Sequence, residues 1–225
     1  MPLHNEAESI ENTIRELYEE LRASVSLEFI ICEDGSRDNT KEVLARLSRQ
    51  FPMQLLMSNA RKGYSRAVRE GMQRTTADYL LCLDGDGQCD PKDFGRFWAV
   101  RDRYDVVIGW RVNRADSCMR RTMSRGFYFV YRLLFGVAVH DPSCPFVLIR
   151  REVVERLLPR LGEMEQGFWW EFIAQAHQTR CTIQEVPVAH RVRAAGKTQV
   201  YRLGALPGIA CRHFAAMFRM RFVKR

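Results

Sequence analysis

The sequence predicts an α/β domain: a mostly parallel sheet with helices on both faces. Short apolar runs alternate with amphipathic helical stretches from residue 6 to residue 109. The runs are continuously apolar, as strands covered on both faces must be. Two of them end in acidic turns, placed where such sheets bind ligands. In order, Ile10, Ile14, Leu17 and Leu21 recur at helical spacing and make 6–22 a helix. LEFIIC (27–32) is a strand, and NTKE (39–42) resembles a capping box for a helix with Val43, Leu44, Leu47 and Phe51 on one face. QLLM (54–57) is a strand, GYSRAVREGMQRT (63–75) a helix and YLLCL (79–83) a strand. Asp90-Pro91 pairs an N-cap with proline at the first helical position, opening a helix to about Arg103. DVVIG (105–109) is the next strand. A helix over 117–135, a strand at FVLI (146–149), a helix over 167–178, a strand at 182–187 and an amphipathic helix over 203–222 complete the chain.

At 225 residues and 46% hydrophobic, the chain supports one well-buried domain, expected over 1–198, followed by a basic amphipathic tail over 199–225. No apolar run has transmembrane length and no secretory signal opens the chain. Seven scattered cysteines without a CxxC pair indicate neither a disulfide framework nor a zinc site. A reducing, cytoplasmic setting is expected. The net charge of +8 is uneven: residues 191–225 hold nine Lys or Arg and no acid, and 111–125 hold five arginines. Such segments meet anions. No nucleic-acid motif accompanies them, so the expected contact is the surface of an anionic membrane, with the tail lying at the interface. A helix packed on the core is the alternative.

Asp84 and Asp86 stand one residue apart in LDGDGQCDP, directly after a strand. A polar turn accounts for the composition. A divalent ion holding a phosphate also accounts for the crowding, since paired carboxylates place their repulsion on the cation. The acidic turn EDGSRD, after another strand, faces the same crevice. One element is missing: MPLHNEAES reads as the loop after a first strand, which the chain is expected to lack, leaving its nucleotide site crippled.

PLHNEAESI, CEDGSRDNT, NARKGYSRAV, LDGDGQCDP, DPSCPFVLIRR and HRVRAAGKT occur in the order and spacing of the family 2 glycosyltransferases, and the chain most resembles their polyprenol-phosphate (dolichol-phosphate mannose synthase-like) branch. The resemblance implies a GT-A-like fold and an inverting, metal-dependent transferase that moves a sugar from a nucleotide-sugar donor to an acceptor, most plainly a polyprenyl phosphate. It implies that Asp84, Asp86 and Gln88 hold Mg or Mn, and that Pro2, Asn5, Glu6, Glu33, Asp34 and Gly63 surround the nucleotide. Arg111 and Arg125 would grip the acceptor phosphate, guanidinium forks matching phosphate oxygens. Arg191, Arg193 and Lys197 would close over the diphosphate. Glu171 stands where relatives place an acid, as base, substrate contact or helix-face residue. Glu33 replaces the usual Asp and Pro145 the usual Gly.

The arginines favour a phosphate acceptor, whose oxyanion needs no strong base, over a sugar hydroxyl, which does. A haloacid-dehalogenase-like phosphohydrolase shares the D-x-D but carries it on the first strand and has Thr or Val where Gln88 stands. A nucleotide-sugar pyrophosphorylase expects a glycine-rich basic N-terminal loop that is absent here. An inactive relative binding membrane or anions through the tail is the non-enzymatic reading.

Overall fold

The computed structural model describes residues 1–112, 118–192 and 206–222, the side chains of 118–125 and 206–207 excepted. Seven strands among these residues form two sheets. The first has parallel β1 (Pro2–Leu3), β2 (Phe29–Glu33) and β3 (Met53–Leu56) in spatial order. The second comprises β4 (Tyr79–Cys82), β5 (Val106–Arg111), β6 (Val147–Arg150) and β7 (Ile183–Val188) in the order β4-β6-β5-β7. There β5 and β7 run parallel, while β6 is antiparallel to both its neighbours.

The missing first strand is corrected by this topology. Pro2 and Leu3 pair with Cys32 and Glu33, so the segment expected as a loop begins as a strand of two residues. The sheets approach at its end: a Cβ on Gly85 would lie 1.9 Å from Leu3 Cδ2, so a larger residue in the turn after β4 would have to displace the buried Leu3 side chain.

The helices are α1 (Ile10–Leu21), α2 (Thr40–Leu47), α3 (Tyr64–Arg74), α4 (Phe94–Trp98), α5 (Cys118–Phe135), α6 (Arg151–Leu157), α7 (Phe168–Gln178) and α8 (Leu206–Phe222). On α1, the apolar stripe of Ile10, Ile14, Leu17 and Leu21 is buried. At ~1.5–3 kcal/mol per side chain, that burial outweighs the weak propensity of an otherwise charged helix. The capping expectation at α2 shifts by one residue. Asn39 makes no side-chain cap bond, and Asp38 Oδ1 accepts from the Thr40 N–H at 3.1 Å instead.

Asp90 does cap, accepting from the Lys92 N–H at 3.1 Å, but a 3₁₀ turn (Pro91–Asp93) follows and α4 stops at Trp98 rather than near Arg103. The N–H groups of Val100, Arg101 and Arg103 bond only three residues back, and Arg150 takes the carbonyls of Arg101, Asp102 and Tyr104. Those tight bonds and a foreign guanidinium replace the last helical turn. The α6 helix was not legible, because Arg151 follows β6 with no turn residue between them.

The tail helix packs on the domain. Ala216 and Met217 of α8 belong to the same buried core as the strands, and Phe127 of α5 lies 5.8 Å from Phe214. Arg219 Nε reaches Glu163 Oε2 at 2.8 Å. On the other side of α8, Phe218 and Phe222 stack in the open at 5.9 Å. Among the described residues no helix is long and apolar enough to cross a membrane. The boundary expected between residues 198 and 199 lies outside the described residues.

Candidate active site

The segments after β1, β2, β4, β5 and β7 are linked to one another by hydrogen bonds and charge. After β1, the Asn5 N–H donates to Ser36 Oγ at 2.9 Å, and Asn5 Oδ1 accepts from the Arg37 N–H at 2.9 Å. These bonds hold Asn5 at φ 56°, a conformation asparagine tolerates better than most residues. Glu6 Oε2 accepts from Ser9 Oγ at 2.8 Å, and both Ser9 Oγ (3.2 Å) and Thr13 Oγ1 (3.3 Å) donate to the Gly85 carbonyl. The loop after β1 is thereby tied to the turn after β4. Gln88, in turn, is tied to the exit of β7: the Arg191 N–H donates to the Gln88 carbonyl at 2.9 Å, and Gln88 Nε2 to the Arg191 carbonyl at 3.2 Å.

Asp84 is the most perturbed acid of these segments. Loss of water around it, and next the charge of Asp86, push its carboxyl up to about 6. Tyr64 donates to Asp84 Oδ1 at 2.9 Å and itself accepts from Trp169 Nε1 at 2.9 Å. Burial and the Asp84 charge hold the Tyr64 phenol well above its usual range, so it remains a donor. Asp86 Oδ1 accepts from the Gln88 N–H at 3.1 Å, which curls the turn after β4.

A raised folded-state carboxyl means that folding binds a proton between about pH 4 and 6, so stability falls as pH rises through that window. The expected loss is up to ~3 kcal/mol, because each pH unit by which the carboxyl is raised is worth about 1.4 kcal/mol. Chemical denaturation of metal-free protein from pH 4 to 7 should show this slope, and Asp84→Asn should flatten it.

The acids expected at the nucleotide make internal contacts. Glu33 is fully buried; it accepts from the Ser36 N–H and from the Ser58 N–H at 3.3 Å, with Lys41 Nζ at 3.7 Å. Burial pushes its carboxyl up, but the hydrogen bonds from Ser36 and Ser58 and the Lys41 charge together hold it below its usual range. Asp34 accepts from the N–H groups of Lys62 (2.6 Å) and Gly63 (3.0 Å), fixing the loop before α3. Gly63 takes φ 94° there. Pro2 lies in β1 itself.

Arg111, at the end of β5, forms a bidentate pair with Asp141, Nε to Oδ2 at 2.7 Å and Nη2 to Oδ1 at 2.9 Å, and also donates to Ser143 Oγ at 2.8 Å. Its charge lowers the Asp84 carboxyl, against the larger effects of burial and Asp86. Glu171 is fully buried, and its oxygens accept from the N–H groups of Gly162 (2.8 Å), Glu163 (2.9 Å) and Met164 (3.0 Å). Both oxygens thus clamp the turn before α7. Arg191 is bound by Glu16 at 2.6 Å and Asp90 at 2.9 Å. The side chain of Arg125, and all of Arg193 and Lys197, lie outside the described residues.

A sequence profile for glycosyl transferase family 2 matches residues 1–158. The chain belongs to glycosyl transferase family 2. Across 88% of its length, this family 2 chain is 27% identical to the undecaprenyl-phosphate 4-deoxy-4-formamido-L-arabinose transferase of Salmonella choleraesuis, and it spans 61% of that relative. Its fold is that of the Mycobacterium tuberculosis glucosyl-3-phosphoglycerate synthase. The complex of that enzyme with Mn2+, uridine diphosphate and phosphoglyceric acid superposes with TM-score 0.69 at 18% identity, covering 100% of this chain and 78% of that one. The complex with Mg2+ and uridine diphosphate gives 0.68 at 18% identity, with the same coverage. The GT-A architecture expected from the sequence is thus shown.

The acidic turn of this family 2 chain suits a hard divalent ion. Among the described residues no three His, Cys, Asp or Glu side chains cluster as a self-sufficient cage. Two carboxylates at a strand end, one with its carboxyl raised by burial and then by the other's charge, are the donor set of an ion that takes its remaining ligands from phosphate and water. Sequence reasoning missed the Trp169–Tyr64–Asp84 chain and the Arg111–Asp141 pair, whose partners stand 105, 20 and 30 residues apart. Nothing local in the sequence announces them.

Proposed function

We propose that this chain is an inverting, nucleotide-sugar-dependent glycosyltransferase whose acceptor is a polyprenyl phosphate. The observation that carries the reading is the Asp84–Asp86 pair, held at a strand end by Tyr64 and the Gln88 N–H, with Asp84 raised by burial and then by the charge of Asp86. Asp84 and Asp86, with Gln88 beside them, would hold Mg or Mn against the donor diphosphate; the bound ion supplies charge stabilisation to the departing nucleotide diphosphate. Asn5, Glu6 and Gly63 border the nucleotide side of the crevice, with Glu33 and Asp34 setting the shape of its loops from behind.

Arg111, at the end of β5, would with Arg125 hold the acceptor phosphate. Attack by a phosphate oxygen on the anomeric carbon, opposite the departing diphosphate, inverts the centre in one displacement and calls for no general base. That agrees with Glu171 being engaged elsewhere. The name of the Salmonella relative, an undecaprenyl-phosphate transferase, favours the same acceptor. The exposed Phe218 and Phe222 on α8, beside Arg219 and Arg221, would place the domain peripherally on an anionic, cytoplasmic membrane face. The domain would then span 1–198, with the tail beyond it.

The test is transfer from a panel of nucleotide sugars, with and without Mn2+, to undecaprenyl phosphate and to sugar hydroxyl acceptors. Metal-dependent product on the phosphate alone is expected; product only on hydroxyl acceptors overturns the acceptor assignment. Arg111→Lys keeps a charge opposite Asp141 but loses the fork. It should raise the acceptor KM about tenfold, about 1.4 kcal/mol, with the donor KM unchanged.

A further inference from the structure

Tyr64 uses its hydroxyl differently from Tyr128 and Tyr131. Those two donate to backbone carbonyls, of Val139 at 2.7 Å and of Trp170 at 3.0 Å, as hydroxyls packed into a core usually do. The Tyr64 hydroxyl donates to Asp84 Oδ1 at 2.9 Å and accepts from Trp169 Nε1 at 2.9 Å. Chemistry fixes the direction of this chain. An indole N–H can only donate, so the phenol oxygen accepts there and its one hydrogen is left for Asp84.

The backbone that carries Tyr64 is tied on both sides. Before it, the N–H groups of Lys62 and Gly63 are held by Asp34. After it, Ser65 Oγ donates to the carbonyls of Met164 at 2.9 Å and Glu165 at 2.8 Å, in the turn that Glu171 clamps. Trp169, at the far end of the chain, is buried on α7. What this arrangement gives Asp84 is orientation without charge. Among the described residues Asp84 and Asp86 form no ion pair, and Arg111, whose charge acts on Asp84, gives its fork to Asp141. A cationic donor would neutralise the acid and compete with a metal ion, whereas a neutral hydroxyl holds the carboxylate and leaves its charge available. Asp84 Oδ2 accepts no hydrogen bond among the described residues.

We propose that Tyr64 is a positioning residue for the divalent ion, holding Asp84 by Oδ1 so that the acid's remaining oxygen is offered to the cation, and that Trp169 sets the direction of that bond. The proposal rests on the reading of Asp84 and Asp86 as the metal-holding turn. A carboxylate free to rotate would lose orientational freedom each time the ion bound; one already held has lost it on folding. Tyr64 opens α3 directly after Gly63, so the loop that Asp34 fixes also sets the phenol that fixes Asp84. The end of β2 and the turn after β4 are thereby coupled through one side chain.

The test measures binding of Mn2+ alone, by electron paramagnetic resonance of the free ion, in the parent chain, Asp84→Ala, Tyr64→Phe, Trp169→Phe and the double variant of the last two. Tyr64→Phe removes one oxygen and keeps the ring, and should weaken Mn2+ binding about tenfold or more. Trp169→Phe leaves the hydroxyl free to turn from Asp84 and should weaken binding less, about threefold. Because Trp169 acts through Tyr64, the double variant should bind as Tyr64→Phe does; two losses that multiply overturn the chain of action. Parent-like Mn2+ binding by Tyr64→Phe, with binding lost in Asp84→Ala, overturns the proposal and leaves the metal-holding turn in place. A parent chain that binds Mn2+ no better than Asp84→Ala overturns both. If Tyr64→Phe does not fold, Trp169→Phe decides, and parent-like binding there overturns the proposal.

Discussion

Alanine at Asp84 or at Asp86 should lower glycosyl transfer about a thousandfold or more, equivalent to ~4 kcal/mol of transition-state stabilisation, while leaving the fold intact. The two substitutions differ in their second effect. Burial is the larger cause of the raised Asp84 carboxyl and survives Asp86→Ala, but the substitution removes the added repulsion of Asp86, so the metal-free variant at pH 7 should be as stable as the parent chain or more so. Removing Asp84 leaves the Tyr64 hydroxyl, still bonded from Trp169, without its acceptor. Its benefit from lost repulsion is offset by about 1 kcal/mol for that hydrogen bond. Mn2+ titration by calorimetry should show weaker binding in both variants, independently of turnover. Full activity in either one sinks the assignment of this turn.

Glu171→Ala should be the most damaging single change to stability in the molecule's acidic residues. Its carboxylate is the acceptor for three consecutive backbone N–H groups at 2.8, 2.9 and 3.0 Å, in a place where the side chain itself has no exposure. Loss of a buried charged acceptor that satisfies several donors costs ~3–5 kcal/mol. Urea unfolding should report this as a drop in midpoint. Glu171→Gln keeps one oxygen acceptor and should retain about half of the stability. The two roles separate cleanly: a base would lose turnover in the glutamine variant with little change in midpoint, whereas a clamp loses midpoint first.

The parts of the fold legible in the sequence were those fixed by local patterning. Ile10, Ile14, Leu17 and Leu21 mark α1 because a helix buries one stripe, and LEFIIC marks β2 because a doubly covered strand is apolar throughout. The turn LDGDGQ was legible for the same reason, as charge following an apolar run. What stayed hidden depends on the third dimension. Arg150 ends α4 from 49 residues away, β6 reverses direction without any change in composition, and Glu171 finds its donors in a loop that only folding brings under it. Glu33 and Asp34 show the limit most clearly. Their position at a strand end was readable, but that their oxygens would bond Ser36, Ser58, Lys62 and Gly63 was not.

The two-way strap between Gln88 and Arg191, with Cys89 bridging to His190 beside it, bears on how this protein can be recombined with its relatives. The acidic turn and the start of the basic segment are 103 residues apart in the chain yet share backbone bonds. A chimaera that exchanges everything after β7 for a relative's sequence keeps both bonds of the strap, which use only the backbone of residue 191, but loses the Arg191 guanidinium that meets Glu16 and Asp90. The exchangeable unit is therefore discontinuous. Residues 16, 90 and 191 have to travel together, and a crossover placed between them would strip the strap of the ion pairs that tie it to α1 and to Asp90.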